Sequence, residues 1–104
     1  MRESDIEKAV CDYAKKRGLH CYKFVSPGTR GVPDRMFTYH GGIVFFIEFK
    51  KPGETPRADQ IRVIERMVKH EVPVFIIDDI EIGKEIIDEL VDDYPVTPLS
   101  VALN

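Results

Sequence analysis

A chain of 104 residues, 43% hydrophobic and 32% charged with a formal net charge of −3, has room for one domain in which about two thirds of the unfolded surface is buried. No run approaches the roughly 20 apolar residues of a membrane span, and Met1–Asp5 leads into a charged helical pattern without a signal-like apolar stretch, so cytoplasmic residence is expected. Cys11 and Cys21 stand in apolar surroundings beside Val10 and Tyr22, without histidines at zinc spacing, and read as two buried free thiols.

Ser4 followed by Glu7 spaces a capping box for a helix over about residues 5–17. Ile6, Val10, Tyr13 and Ala14 recur at helical spacing, and Gly18 stops the helix. Leu19 to Val25 reads as a strand, and Ser26 to Pro33 as a loop of backbone-directing residues. Arg35 to Tyr39 forms a second strand, His40-Gly41-Gly42 a turn, and Ile43 to Lys50 a third strand. The length of its apolar run predicts a central position covered on both faces. After the turn at Lys51–Glu54, Thr55 is placed to cap a second helix with Pro56 at its first position. Ile61, Ile64, Met67 and Val68 give that helix one apolar face, and it should end before Pro73. Val74–Ile77 is a fourth, buried strand, and Asp78 or Asp79 can open a last helix carrying Ile82, Ile86, Ile87 and Leu90.

The expected fold is therefore α/β, in the order α-β-β-β-α-β-α, with a mixed central sheet flanked by helices. The domain should occupy residues 1–91. Residues 92–104, with Tyr94, Val96, Leu99, Val101 and Leu103 among two prolines, are left as a tail that either docks or stays loose.

Charge is unevenly placed along the chain. Residues 1–70 hold 14 Lys and Arg against 9 Asp and Glu, whereas 71–104 hold 1 against 9. The densest basic stretch comprises Lys15, Lys16, Arg17, Lys23, Arg30 and Arg35, interrupted by a single acid, Asp34. Such a local field can bind phosphates on a molecule that is acidic as a whole; an ordinary solvated basic surface is the alternative.

Two charges intrude on the apolar third strand. Glu48 and Lys50 share one face of it, while Ile47 and Phe49 point to the other. Buried charge needs a partner or a metal. Asp34, presented by the rigid turn Gly31-Val32-Pro33, can join Glu48 in holding a hard divalent cation, with the main-chain oxygen of Phe49 as a third protein ligand. A cation there would polarise a phosphate and acidify a bound water. Lys50 would orient that water, stabilise the transition state or act as base, and the sequence does not choose among these. The alternative is a salt-linked strand end with Asp34 merely starting a turn. Glu7 is open to two roles, capping the first helix or bordering the site. Gln60 either faces the cavity or bonds locally. His20, His40 and His70 form no zinc-spaced set, and Gly28 and Gly31 make no phosphate-binding P-loop.

Taken together, Gly31-Val32-Pro33-Asp34, Glu48-Phe49-Lys50 and Gln60, with Arg35, Gly41-Gly42 and Lys51-Pro52-Gly53-Glu54 around them, resemble the VRR-NUC family of the restriction-endonuclease-like PD-(D/E)XK superfamily. The resemblance covers about residues 3–90. It implies that Asp34 and Glu48 bind Mg²⁺ or Mn²⁺, that Lys50 is the catalytic lysine, and that Glu7 and Gln60 border the metal site. It also implies a homodimeric DNA endonuclease of a phage-infected or bacterial cell that cuts branched DNA, including four-way (Holliday) junctions. A flap or nonspecific nuclease, a noncatalytic nucleic-acid-binding protein on the same scaffold, and an assembly protein using its apolar tail are the competing readings.

Overall fold

The first helix, α1, spans Glu3–Lys16 in the computed structural model, which describes residues 1–92. It starts earlier than the expected capping box, because Asp5 rather than Glu7 closes its first turn. Asp5 Oδ2 accepts from the Arg2 amide at 3.1 Å and its carboxylate pairs with the Arg2 guanidinium. Ser4 is thus inside the helix and Glu7 is released from capping. The end follows the sequence: Gly18 takes a φ of +90°, and the amides of Gly18 and Leu19 donate to Lys15 and Ala14. That pair of bonds is a Schellman closure, which only a left-handed residue can form cheaply.

Four strands follow in one sheet of order β1-β2-β3-β4: β1 His20–Lys23, β2 Arg35–Tyr39, β3 Ile43–Phe49 and β4 Val74–Ile77. β1 is shorter than expected because Leu19 belongs to the helix closure, although Phe24 still donates to the carbonyl of Asp34. β1–β2 and β2–β3 are antiparallel, with a 3₁₀ turn at His40–Gly42 between the latter pair, and β3–β4 is parallel. The parallel step is bridged by α2, Ala58–Lys69, and α3 completes the chain at Ile80–Asp92. Asp92, placed in the tail by the sequence, is the last residue of that helix. Tyr94, Val96, Leu99, Val101 and Leu103 lie outside the described residues. No helix among the described residues is long and apolar enough to cross a membrane.

α2 does not begin at Thr55 and Pro56. Its N-cap is Arg57, whose amide donates to Gln60 Oε1 at 2.9 Å, so a side-chain amide in the first turn does the work assigned to Thr55. Asp79 caps α3 by accepting from the Ile82 amide, while Asp78 holds the turn at Gly53.

β3 is central as expected, and its alternation sorts the molecule into layers. Phe45, Ile47 and Phe49 join Phe37 and Ile77 in a core covered by Ile6, Val10 and Ala14 of α1 and by Ile87 and Val91 of α3. Each of the buried Val, Ile and Phe side chains stabilises the fold by about 1.5–3 kcal/mol. Gly83 lets the two helices approach, since a Cβ there would lie 2.6 Å from Val10 Cγ2. Arg17 adds ion pairs to Asp88 and Asp92 across the same helix contact. Cys11 is buried against Cys21, which is partly exposed rather than buried; both are free thiols, with sulfurs 3.1 Å apart. The opposite face of β3 presents Phe46, Glu48 and Lys50 to α2, where Gln60 and Ile64 are buried.

The loop before Asp34 is held to α2 at one point. Gly31 has φ +91°, and a Cβ on it would come within 2.6 Å of the Asp59 carbonyl oxygen. Gly31→Ala should therefore destabilise the protein by roughly 1–3 kcal/mol, whereas Gly28→Ala, with nothing within 4 Å of the new Cβ, should be nearly silent. Urea unfolding of both variants measures this; equal midpoints would contradict the clamp.

Candidate active site

Asp34 stands one residue ahead of β2, where the register Arg35↔Ile47 brings it beside the end of β3. Its Oδ2 accepts from the Phe49 amide at 2.8 Å. A carboxylate thus fills the ladder position that β2 leaves open. In a strand the carbonyl of a residue points to the same edge as its amide, so the Phe49 oxygen is turned toward the Asp34 side of β3.

Glu48 is 1% exposed and Lys50 5%. Glu48 Oε2 accepts from Gln60 Nε2 at 2.7 Å and lies 3.4 Å from Lys50 Nζ. Its other oxygen, Oε1, is buried without any hydrogen-bond partner. Burial, and then repulsion from Asp34, push the Glu48 carboxyl up to about 7 against the pull of Lys50. Asp34 is also raised, first by burial and then by the charge of Glu7, although the Phe49 amide and Lys50 oppose this. Lys50 therefore stands beside one buried carboxylate, Glu48, and near a second, Asp34, that is partly buried. An unpaired buried oxygen, a repelled pair of carboxylates and an adjacent carbonyl make a donor set that suits a hard divalent cation. Among the described residues, no three His, Cys, Asp or Glu side chains converge into a closed metal cage, so a cation here would keep positions for water and a phosphate.

Gln60 comes to the site, and its two ends explain why. Oε1 closes the first turn of α2 and Nε2 fixes Glu48, so the helix start and the carboxylate hold each other in place. Glu7 sits nearby but is bound to Arg35, its Oε2 2.8 Å from Arg35 Nε; it acts on Asp34 through its charge. The sequence reading missed Glu3. Its carboxyl is raised by partial burial and by Asp34, is lowered by Lys50, and in turn raises Glu48. The available signal was spacing: Glu3 is four residues before Glu7, on the same helical face.

The six basic residues singled out by sequence density do not act alike. Arg17 is paired with Asp88 and Asp92, and Arg35 with Glu7, so both serve the fold. Lys15, Lys16 and Lys23 are exposed. Arg30 lines a groove with Arg57, Arg62 and Arg66, three arginines that the sequence density did not pick out. A helix-face count would have paired Arg62 with Arg66.

An acid whose value is raised in the fold favours the folded state while it is protonated. The contribution of Glu48 is fully present below its ordinary 4.5 and lost as pH rises through about 7, a change on the order of 3 kcal/mol. In a chelator, the wild type should lose stability between pH 5 and pH 8, and Glu48→Gln should flatten that loss. Mg²⁺ or Mn²⁺ at pH 8 should restore the wild type alone. Parallel pH profiles for the two proteins would rule out this placement of the charge.

No family model matches the chain. Over 67 residues it is 46% identical to a protein described as "Putative nuclease p44" from Acyrthosiphon pisum secondary endosymbiont phage 1, covering 64% of this chain and 72% of that one. A solved structure described as a VRR_NUC domain shares the fold with a TM-score of 0.73 and 24% identity, over 89% of this chain and 97% of the other. With the motif residues assembled as described and a phage protein described as a putative nuclease related over most of its length, the chain belongs to the VRR-NUC family of nucleases.

Proposed function

We propose that this protein is a Mg²⁺- or Mn²⁺-dependent endonuclease that hydrolyses phosphodiester bonds of DNA, acting as a homodimer on four-way junctions in the cytoplasm of a bacterial or phage-infected cell. The observation that carries the chemistry is the buried, partnerless Oε1 of Glu48 beside Asp34. Asp34, Glu48 and the main-chain oxygen of Phe49 would hold the cation, with Glu7 acting through its charge or a bridging water. When bound, the cation supplies Lewis acidity toward a phosphate oxygen and lowers the pKa of a water. The chain supplies the rest. Gln60 and the Phe49 amide each hold one carboxylate oxygen, which fixes the direction of the other. Lys50 Nζ lies in a dry site next to Glu48, where it can stabilise the negative charge that develops on a phosphate or hold the attacking water. In-line attack by water on phosphorus would break the bond to the sugar 3′-oxygen, leaving a 5′-phosphate and a 3′-hydroxyl.

The dimer and the junction preference rest on the family resemblance and on symmetry. A two-fold pair would set two active sites against the two related strands of a four-way junction. Ile61 and Val68 of α2 and Ile76 of β4 offer exposed apolar surface to a second copy.

Asp34→Ala and Glu48→Ala should abolish Mg²⁺-supported cleavage while retaining most DNA binding. Lys50→Ala should lower turnover by about 10²–10³-fold, and Gln60→Ala by about 10–100-fold through loss of the Glu48 tether. If all four variants cut like the wild type, the site is elsewhere. If the wild type binds DNA but never cuts it in Mg²⁺ or Mn²⁺, a noncatalytic binding protein is the better account.

Mapping nicks on end-labelled four-way, flap and linear DNA tests the substrate. Symmetric nicks on opposing strands of the junction, absent in Asp34→Ala, are expected. Preference for a flap, or uniform nicking of linear DNA, would reject junction resolution and leave the nuclease standing.

A further inference from the structure

A groove of about 550 Å³ runs along the outer side of α2, lined by Thr29, Arg30, Arg57, Asp59, Arg62 and Arg66, among others. Four guanidinium groups around one groove repel each other, and the structure offsets only part of that charge. Asp59 lies 3.2 Å from Arg57 and 3.8 Å from Arg30, whereas Arg62 and Arg66 take part in no ion pair among the described residues. The unmatched charge therefore faces solvent from one helix face, since residues four apart are neighbours there. Arginine forks match phosphate oxygens, two donors at a time. From Arg57 to Arg66 the helix advances about 13 Å, a length comparable with several phosphates at about 3.4 Å per strand step along a duplex.

The groove also shares its walls with the candidate active site. Gly31 lays the loop backbone against Asp59 and Gln60, so the loop carries Arg30 into the groove and Asp34, four residues on, into the site. In the first turn of α2, Arg57 and Asp59 face the groove while Gln60 reaches inward to Glu48. A strand lying along the arginines would pass the first turn of α2, whose Gln60 holds Glu48.

We propose that this arginine groove binds the phosphate backbone of the DNA strand that enters the Asp34–Glu48 site. It, rather than the basic stretch of α1 and β1, is then the principal backbone contact. The inference rests on the nuclease reading for its direction toward the site, but binding and cleavage can be measured apart.

The test uses the full chain in chelator, with a fluorescent four-way junction and a linear duplex, read by anisotropy over a range of salt. Arg62→Ala/Arg66→Ala is compared with Lys15→Ala/Lys16→Ala. Both pairs are exposed helical residues and remove the same charge. The groove pair should weaken binding about tenfold and lower the salt slope by about two, one for each lost phosphate contact; the α1 pair should move both far less. Should the groove pair fold poorly by circular dichroism, Arg62→Gln/Arg66→Gln keeps the length and polarity and answers the same question. Wild-type binding by the groove variant, or an equal loss from the α1 pair, overturns the inference. Cleavage in Mg²⁺ separates the two readings. A wild type that binds through the groove but never cuts refutes the nuclease and leaves the groove. A wild type that cuts, with groove variants unchanged in KM, refutes the groove and leaves the nuclease.

Discussion

Glu48 and Lys50 lie on a strand whose other face is the centre of the core, and α2 shuts them from water. Drying such ions costs several kcal/mol each even after relaxation, and attraction between two of them offsets that cost only with good geometry and further hydrogen bonds. Here the 3.4 Å ion pair has a second carboxylate, Asp34, near it, whose repulsion adds to the cost of burying Glu48. Much of the architecture can be understood from that imbalance. Gln60 ties Glu48 to the first turn of α2, the Asp34 carboxylate meets the Phe49 amide where β2 leaves the ladder open, and Gly31 lacks a side chain so that the loop and α2 can close together. An apolar strand end would fold more easily. The arrangement has a purpose if a cation completes it.

The positive charge is divided between two kinds of work. Arg17 and Arg35 are drawn inward to bind α3 and α1, at sites where a part-buried carboxylate is already waiting. Arg57, Arg62 and Arg66 stay outside, on the helix whose inner face holds Glu48. α2 therefore separates a negative interior from a positive exterior across its own width. A polyanion drawn to the outside arrives next to a site that, without a cation, would repel it. If a cation binds there as proposed, such an arrangement would couple attraction at long range to a need for that cation at short range.

The element order was legible because alternation on β3 and the 3.6-residue spacing on α1 and α2 are local signals. Gly18 was legible for the same reason: a helix end needs a left-handed residue, and glycine supplies it. The helix starts were not. Ser4 and Thr55 are acceptable caps by composition, but Asp5 and Gln60 reached the free amides instead, and Gln60 was fixed by Glu48 twelve residues earlier in the chain. Of the two roles open to Glu7, capping was not taken up, because its partner, Arg35, lies on another element. Glu48 and Lys50 stood out because charges on an apolar strand conflict with its burial, and Asp34 because a rigid turn presents it, both of which are visible from sequence. Basic residues carry no such conflict, so counting them along the chain selected Lys15 to Arg35, whereas only the folded helix shows Arg30, Arg57, Arg62 and Arg66 around one groove.

β1, β2 and β3 pair with their neighbours in the chain, whereas β4 meets β3 in parallel only after the chain has passed through α2. Pairing across a crossover closes a longer loop than a hairpin does and forms later. The hairpin bearing Asp34 and Glu48 can therefore assemble with its carboxylates still hydrated, and docking of α2 is the step that dries them. In reverse, release of α2 gives up the Ile64 and Gln60 contacts but returns water to Glu48, which lowers the net cost of that opening. Amide hydrogens of α2 should consequently exchange ahead of those in β2 and β3. Through such an opening, water and a cation would reach the buried Glu48 at a rate set by how often one helix lifts.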